Sequence, residues 1–313
     1  MAAACGRDLV QAYDGGVFPL AHVGGPAFEP LQLAALTLIA TAYGFRALTL
    51  AQEGRAVPVW RAVSFASGIF LIAVAFLSPL DHVAGELFLV HMTQHLLMGD
   101  LGALLIVLGL TGPLLQPLLA NRWLGWLRHL VHPLVALPLW AFNLYLWHIP
   151  VFQEAALASD PVHALQHACF IGFGVLMWMP LVGPLPQPKW FGIPARIGYL
   201  VGVRFTGIVL GNVLMWSNSV FYPDYAAGEA KWHLTAVTDQ SIAGVIMMVE
   251  GGFVTLGVLA WLFLEWAKQD TERQRLVDLA EERGVELSDA RAARAAAAGQ
   301  GARLEERLHQ GGT

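Results

Sequence analysis

Residues 81–98 read Asp81-His82-Val83-Ala84-Gly85-Glu86-Leu87-Phe88-Leu89-Val90-His91-Met92-Thr93-Gln94-His95-Leu96-Leu97-Met98 and open an apolar run that continues to Leu110. A run this long with so few charges predicts a membrane-spanning helix. His91 and His95 are four residues apart, so on a helix their imidazoles share one face, one turn apart. Gln94 and Met98 lie close to that face, and the stripe reads His, Gln, His, Met. Ionisable groups inside a membrane helix are costly and face a partner, a cofactor or water. The remaining helices are read as serving this stripe.

Composition agrees with a membrane setting. The chain has 313 residues, 56% hydrophobic and 13% charged, with 11 tryptophans. Soluble domains carry roughly 25% charge. Long uncharged runs recur, which predicts a polytopic membrane protein rather than a large soluble core. The net charge of −5 says little, because much of the charge sits in one tail. No basic patch interleaved with aromatics points to nucleic acid. The two cysteines, Cys5 and Cys169, support no disulfide framework. No apolar stretch precedes Cys5, so neither a lipoprotein site nor a cleavable signal is expected.

Seven spans follow from hydropathy: Leu31 to Leu50, Trp60 to Leu77, Val83 to Leu110, Pro133 to Ala158, Val162 to Val182, Ile197 to Trp216 and Thr235 to Trp266. The fold class is an all-α membrane protein, a bundle of seven transmembrane helices. Residues 1–30 are read as an exposed lead-in, 31–266 as the membrane domain and 267–313 as a charged cytoplasmic tail. Pro150 is expected to kink or end the regular part of the fourth span. The seventh is longer than a bilayer requires, which implies tilt or an extension beyond it. The tail, rich in Glu, Arg and Ala with a helical look and few large apolar residues, is read as solvated, either an interaction or regulatory helix or a disordered segment.

Charge placement sets the orientation. Arg55, Arg61, Arg122, Arg128, Lys189 and Arg196 follow spans one, three and five, whereas the alternate loops carry Asp81, Asp160 and Asp224 with Lys231 alone. The positive-inside rule then places the N-terminus outside and the C-terminus in the cytoplasm. His91 falls roughly 12 Å along the third span from its outer end, at 1.5 Å per residue. His148 lies near the outer end of span four. His163 and His167 make a second i, i+4 pair in span five, with Gln166 beside them. Asp239 and Gln240 open span seven. Five histidines and a carboxylate from four helices therefore share one depth.

That donor set suits a metal. Neutral imidazole ligates Zn, Cu, Fe and Ni, and thioether selects Cu(I). A carboxylate or amide would orient the imidazoles, a role open to Asp239, Gln94 or Gln166. A lone buried histidine in a membrane helix is more often an interhelical hydrogen-bond partner than a ligand. His22, His82, His129, His132, His233 and His309 sit at loops or ends and are read as non-ligands, with His82 a candidate entry site. The methionines are read as packing residues. Arg204 is expected to snorkel, and Glu250 shares a helical side with Asp239 as a proton-coupled group or hydrogen-bond partner.

Several of these pieces together resemble the polytopic CtaG-type cytochrome c oxidase assembly factors of bacteria. The matching stretches are Ser78-Pro79-Leu80-Asp81, His91-Met92-Thr93-Gln94-His95-Leu96-Leu97, Trp147-His148-Ile149-Pro150, His163-Ala164-Leu165-Gln166-His167 and Asp239-Gln240-Ser241-Ile242-Ala243-Gly244-Val245-Ile246-Met247. They stand in family order over most of 78–250. The resemblance implies a role in maturing haem–copper oxidases, supplying or handling copper on the outer side. Two departures stand out: Gln166 where the family has an acidic residue, and Met248 and Glu250 where it has an aromatic residue and a proline.

The reading is a multi-pass protein of the bacterial inner membrane. It would bind copper through His91, His95, His163 and His167, with His148 and Asp239 auxiliary. Its expected partners are a cytochrome c oxidase subunit or a copper chaperone, and the lipid bilayer. No nucleophile–base pair, phosphate loop or cofactor fingerprint argues for an enzyme. The rivals are a haem- or di-metal-binding membrane oxidoreductase and a proton-coupled transporter using the histidines with Asp239 and Glu250.

Overall fold

A computed structural model of the chain describes residues 30–309 apart from position 124. The expected lead-in, with Cys5 and His22, lies outside the described residues except for Pro30, which opens the first helix. Every element among the described residues is helical. Helices α1 (Pro30–Gln52) and α2 (Val59–Leu77) lead to the short α3 (Pro79–Ala84). Next, α4 (Phe88–Leu96), a π-helical segment (Leu97–Gly102) and α5 (Ala103–Gly109) form one continuous rod. Short α6 (Gly112–Ala120) and α7 (Leu127–Leu130) precede α8 (Pro133–Trp147) and α9 (Pro150–Ala158). Then come α10 (Asp160–Val182), α11 (Ile193–Trp216), a 3-10 turn (Pro223–Tyr225) and α12 (Ala226–Lys231). The 47-residue α13 (Ala236–Glu282), α14 (Asp289–Ala297) and α15 (Gly301–His309) complete the described residues.

Among the described residues, six helices are long and apolar enough to cross a membrane, and α8 with α9, bent by 70°, makes a seventh when taken as one span. Contacts along the α4–α5 rod and α10 run in step. His91 meets His163 and His95 meets His167, and beyond them Gly99 meets Phe170 and Gly174 meets Ala103. The two rods are therefore parallel, and the chain between them must return. Among the described residues of that link, the α8–α9 pair has the apolar length to do so. Polarity is inverted relative to a soluble domain. Phe45, Phe70, Leu134, Phe205 and Phe253 are exposed, while His91, Gln94, Gln166 and Asp239 are buried. Exposed apolar surface on this scale suits lipid, not water.

Two departures from the hydropathy reading, in the third span and the tail, have physical causes, and the break expected in the fourth span is present. The third span does not run unbroken from Val83. Ser78 caps α3, its hydroxyl accepting from the Leu80 N–H at 3.2 Å, and extended backbone at Leu87 separates α3 from α4. Glu86 in that break is held from outside, by Lys231 Nζ at 2.5 Å and the Trp232 indole N–H at 2.6 Å. As Pro150 predicts, the fourth span is broken at His148-Ile149, where Pro150 opens a new helix and the Tyr222 hydroxyl donates to the His148 carbonyl at 2.8 Å. The tail is not simply solvated. Helix α13 runs on to Glu282, and Leu276 and Ala280 bury against Ala292 of α14 and Leu304 and Leu308 of α15.

Candidate metal centre

His91 and His95 are the fourth and eighth residues of α4, and His163 and His167 are the fourth and eighth of α10. Parallel packing of two such helices in step brings the pairs level. Ring centroids are 4.3 Å apart for His91–His95 and 4.1 Å for His163–His167 along the helices. Across the helices they are 5.6 Å apart for His91–His163 and 5.4 Å for His95–His167. The four imidazoles form a quartet. His91, His95 and His167 are buried and His163 is partly buried.

Close backbone approach makes the quartet possible. A methyl group on Gly174 would run into the Gly99 carbonyl, so α10 and the π segment touch backbone to backbone, one turn beyond His95. The π segment also places Asp100, whose carboxylate pairs with Arg204 at 2.9 Å and accepts from the Trp178 indole at 3.0 Å. Single π turns inside α-helices recur at functional sites. At the other end of α4, Asp239 reaches across from α13. Its Oδ2 accepts the Phe88 N–H and its Oδ1 the Leu89 N–H, both at 2.8 Å. Those first-turn amides lack intrahelical acceptors, so the carboxylate satisfies them and favours the helix dipole.

An amide relay borders the quartet. Gln153 of α9 donates from Nε2 to His91 Nε2 at 3.1 Å and to the Tyr225 hydroxyl at 3.0 Å. Its Oε1 accepts from Gln166 Nε2 at 2.8 Å. Burial holds the Tyr225 phenol well above its ordinary pKa, so it stays protonated. His167 Nδ1 lies 3.4 Å from Gln32 Oε1. Five buried ring nitrogens have no hydrogen-bond partner among the described residues: His91 Nδ1, His95 Nδ1 and Nε2, His163 Nε2 and His167 Nε2. Buried polar atoms are nearly always paired, so a cluster of orphans calls for an explanation. Among the described residues, no group of three His, Cys, Asp or Glu side chains is arranged to hold a metal ion.

The remaining sequence-selected residues are placed as follows. His148 stands beside the quartet, bonded to the Leu144 carbonyl at 2.7 Å and facing Met92 Sδ at 3.2 Å. Asp239 anchors α4 and touches no imidazole nitrogen. Gln94 turns away from the histidine face, donating to the Ala75 carbonyl at 2.9 Å and Asp81 Oδ1 at 2.6 Å. Gln166 acts through Gln153. Arg204 does not snorkel, because Asp100 meets it inside the bundle. Both Glu250 carboxylate oxygens are buried near Asp100 and Arg204 with no short hydrogen bond among the described residues. His82 is half exposed and lies 3.5 Å from Glu86. Sequence reasoning passed over Gln153, Tyr225 and Asp100. The available signal for Asp100 was a lone acid within an apolar run.

Fold and site together define a multi-pass helical membrane protein with a buried imidazole quartet near one end of its spans. The sequence pattern of the cytochrome c oxidase caa3 assembly factor family (Caa3_CtaG) matches residues 41–269, and the chain belongs to that family. All four quartet histidines fall within the match. Uncharacterized proteins of Mycobacterium bovis and Mycobacterium tuberculosis are each 26% identical to the chain over 262 residues, covering 78% of it and 39% of their own length. An uncharacterized protein of Mycobacterium leprae is 24% identical over 262 residues, covering 78% of this chain and 40% of its own length. The chain thus spans about two fifths of the length of the curated relatives it matches. No solved structure gives a significant match.

Proposed function

We propose that the chain handles copper for the assembly of a haem–copper cytochrome c oxidase in the bacterial inner membrane. The carrying observation is the quartet, four imidazoles on two parallel helices with five buried nitrogens lacking partners. Imidazole is a ligand for Cu(I) and Cu(II) alike. The χ2 torsion of histidine is broad, so rings at these separations re-aim their nitrogens by rotation without moving the backbone. Turning over the Gln153 and Gln166 amides makes His91 Nε2–H the donor and frees a lone pair at Nδ1, on the same heavy-atom positions. Gln153 then orients His91 as an outer hydrogen-bond partner orients a metal-bound imidazole.

The ion is cargo, and the role is non-catalytic. A site of adjustable rings, none locked in a closed cage, favours uptake and release over permanent retention. The excess of Lys and Arg after spans one, three and five supports an outward N-terminus and a cytoplasmic tail. The quartet then faces the outer side, where an oxidase subunit or a copper carrier would exchange the metal.

The test is metal analysis of detergent-purified protein after anaerobic Cu(I) loading, with an optical spectrum, against His91→Ala/His95→Ala. Copper near one equivalent or more in the parent and lost in the variant, with no visible absorbance, is the expected result. A Soret band would shift the assignment to haem. Equal copper in both proteins, or none in either, would refute the quartet as a copper site.

A further inference from the structure

His148 has a partner that its chemistry does not favour. Its Nδ1 lies 2.7 Å from the Leu144 carbonyl oxygen, and a carbonyl only accepts, so Nδ1 carries the proton. A neutral imidazole has one N–H, which leaves Nε2 with a bare lone pair. That lone pair faces the Met92 thioether at 3.2 Å, and a thioether sulfur is itself only an acceptor. Two buried electron-pair donors therefore point at each other, with His148 9% exposed and Met92 2%. A cation between them resolves the conflict. Imidazole paired with thioether selects Cu(I).

The surroundings have room for one. Met92 and His148 border a cavity of about 70 Å³ that His95, Phe170, Met177 and Met247 also line. One water requires roughly 10–15 Å³ by the same measure. His95 belongs to both places. It is 5% exposed, both its ring nitrogens lack partners, and its ring stands 4.3 Å from His91 in the quartet. Met92 and His95 are three apart on α4, so they share a face one turn long. The 70° bend between α8 and α9 is what delivers His148 to this point.

We infer that Met92 and His148 form a second, sulfur-containing Cu(I) station, entered from the quartet through His95. This rests on the copper reading of the quartet. The step is ligand exchange. The ion keeps its bond to His95, loses imidazole nitrogens of the quartet, and gains His148 Nε2 and Met92 Sδ. No electron and no proton moves, because the copper stays Cu(I) and both imidazoles stay neutral. Thioether binds Cu(I) without a charge to hold it, which suits a station that must release its ion.

The experiment uses the full chain in detergent. Cu(I) is titrated anaerobically against a chromophoric Cu(I) chelator, and the copper shell is read by X-ray absorption. Met92→Leu conserves volume, His148→Gln keeps a donor for the Leu144 carbonyl, and His163→Asn/His167→Asn disables the quartet. The parent is expected to bind two Cu(I) with sulfur in the shell. Met92→Leu and His148→Gln should each bind one, and Met92→Leu should show nitrogen only. The His163/His167 variant should keep one Cu(I) with sulfur. Absence of sulfur from the parent, or sulfur undiminished in Met92→Leu, overturns the station. Copper lost only in the His163/His167 variant also overturns it and leaves the quartet standing. Copper lost only in the Met92 and His148 variants removes the quartet and with it overturns the transfer through His95.

Discussion

Asp239→Asn separates an anchoring carboxylate from a liganding one. In the parent, Asp239 is fully buried and each oxygen takes a first-turn amide of α4 at 2.8 Å. Hydrogen bonds to a charged group contribute about 1.5–3 kcal/mol each. Asparagine keeps one carbonyl oxygen but presents an NH2 group to the other amide. One bond is lost, the other becomes neutral, and a buried N–H is left unsatisfied. The expected loss is about 3 kcal/mol. At about 1.5 °C per kcal/mol for a chain of this size, the apparent Tm of the metal-free protein should fall by about 5 °C. Scan rate and detergent must be held constant, because membrane-protein unfolding is often irreversible. Saturating copper stoichiometry should not change, since no ligand is removed. An unchanged Tm of the metal-free protein, together with a lost copper equivalent, would refute the anchoring role and put Asp239 on the metal.

Three further outcomes follow from the same geometry. Gln153→Leu strips the relay from His91, Tyr225 and Gln166, and should weaken Cu(I) binding by about 10–100-fold in chelator competition; unchanged affinity would show that the amide orients nothing. Gly174→Ala forces a methyl group against the Gly99 carbonyl; it should cost about 1–3 kcal/mol and weaken copper binding as His95 and His167 separate, measured by Tm and titration together. Glu86 lies outside the spans; burial pushes its carboxyl up, but the hydrogen bonds from Lys231 and Trp232 outweigh this and hold it below the usual carboxylate range. A depressed pKa stabilises the fold above the unfolded value and loses that contribution as pH falls through the folded value. Glu86→Gln should therefore lower Tm modestly at pH 7, by about 1 kcal/mol or less, and flatten the acid-side decline; identical Tm–pH curves would sink the assignment.

Much of this architecture is legible in the sequence because two periods carry it. Apolar length marks the spans, and i, i+4 spacing marks the histidine faces of α4 and α10. Equal offsets of each pair from its helix start, at the fourth and eighth residues, make the pairs level once the helices run parallel. What the periods do not contain is the approach in the membrane plane. That depends on Gly99 and Gly174, two unremarkable glycines among the 32 in the chain. The break before Phe88 was equally hidden. Its residues, Gly85-Glu86-Leu87, do not exclude helix; Lys231, Trp232 and Asp239, about 145–151 positions away, hold the chain there. The tail misled by composition. Its small core is spread over three helices and contains Ala280 and Ala292 where leucines would have advertised it.

The polar residues that sequence reasoning passed over share one property: each is defined by a partner far along the chain. Asp100 meets Arg204 at a separation of 104 residues, and Gln153 meets His91 at 62. In a membrane interior such partners are nearly compulsory, since no water is present to satisfy a lone acid or amide. A lone polar residue in an apolar run is therefore a statement that a second one exists elsewhere, and the count of unmatched residues is itself informative. Applied here, that logic leaves a remainder. After Asp100–Arg204, Asp239–α4 and Gln153–Gln166–Tyr225 are paired, the buried atoms left without a partner among the described residues include the quartet nitrogens and the Glu250 carboxylate, together with single atoms of Gln94, Trp147 and Gln166 and two nitrogens of Arg204. The nitrogens are clustered borderline lone-pair donors that suit copper, whereas the carboxylate is hard and faces Asp100 and Arg204. A copper ion answers the first set and leaves the second untouched, so loading with Cu(I) should perturb the histidine ring resonances while leaving the Glu250 carboxyl band in the infrared difference spectrum unmoved.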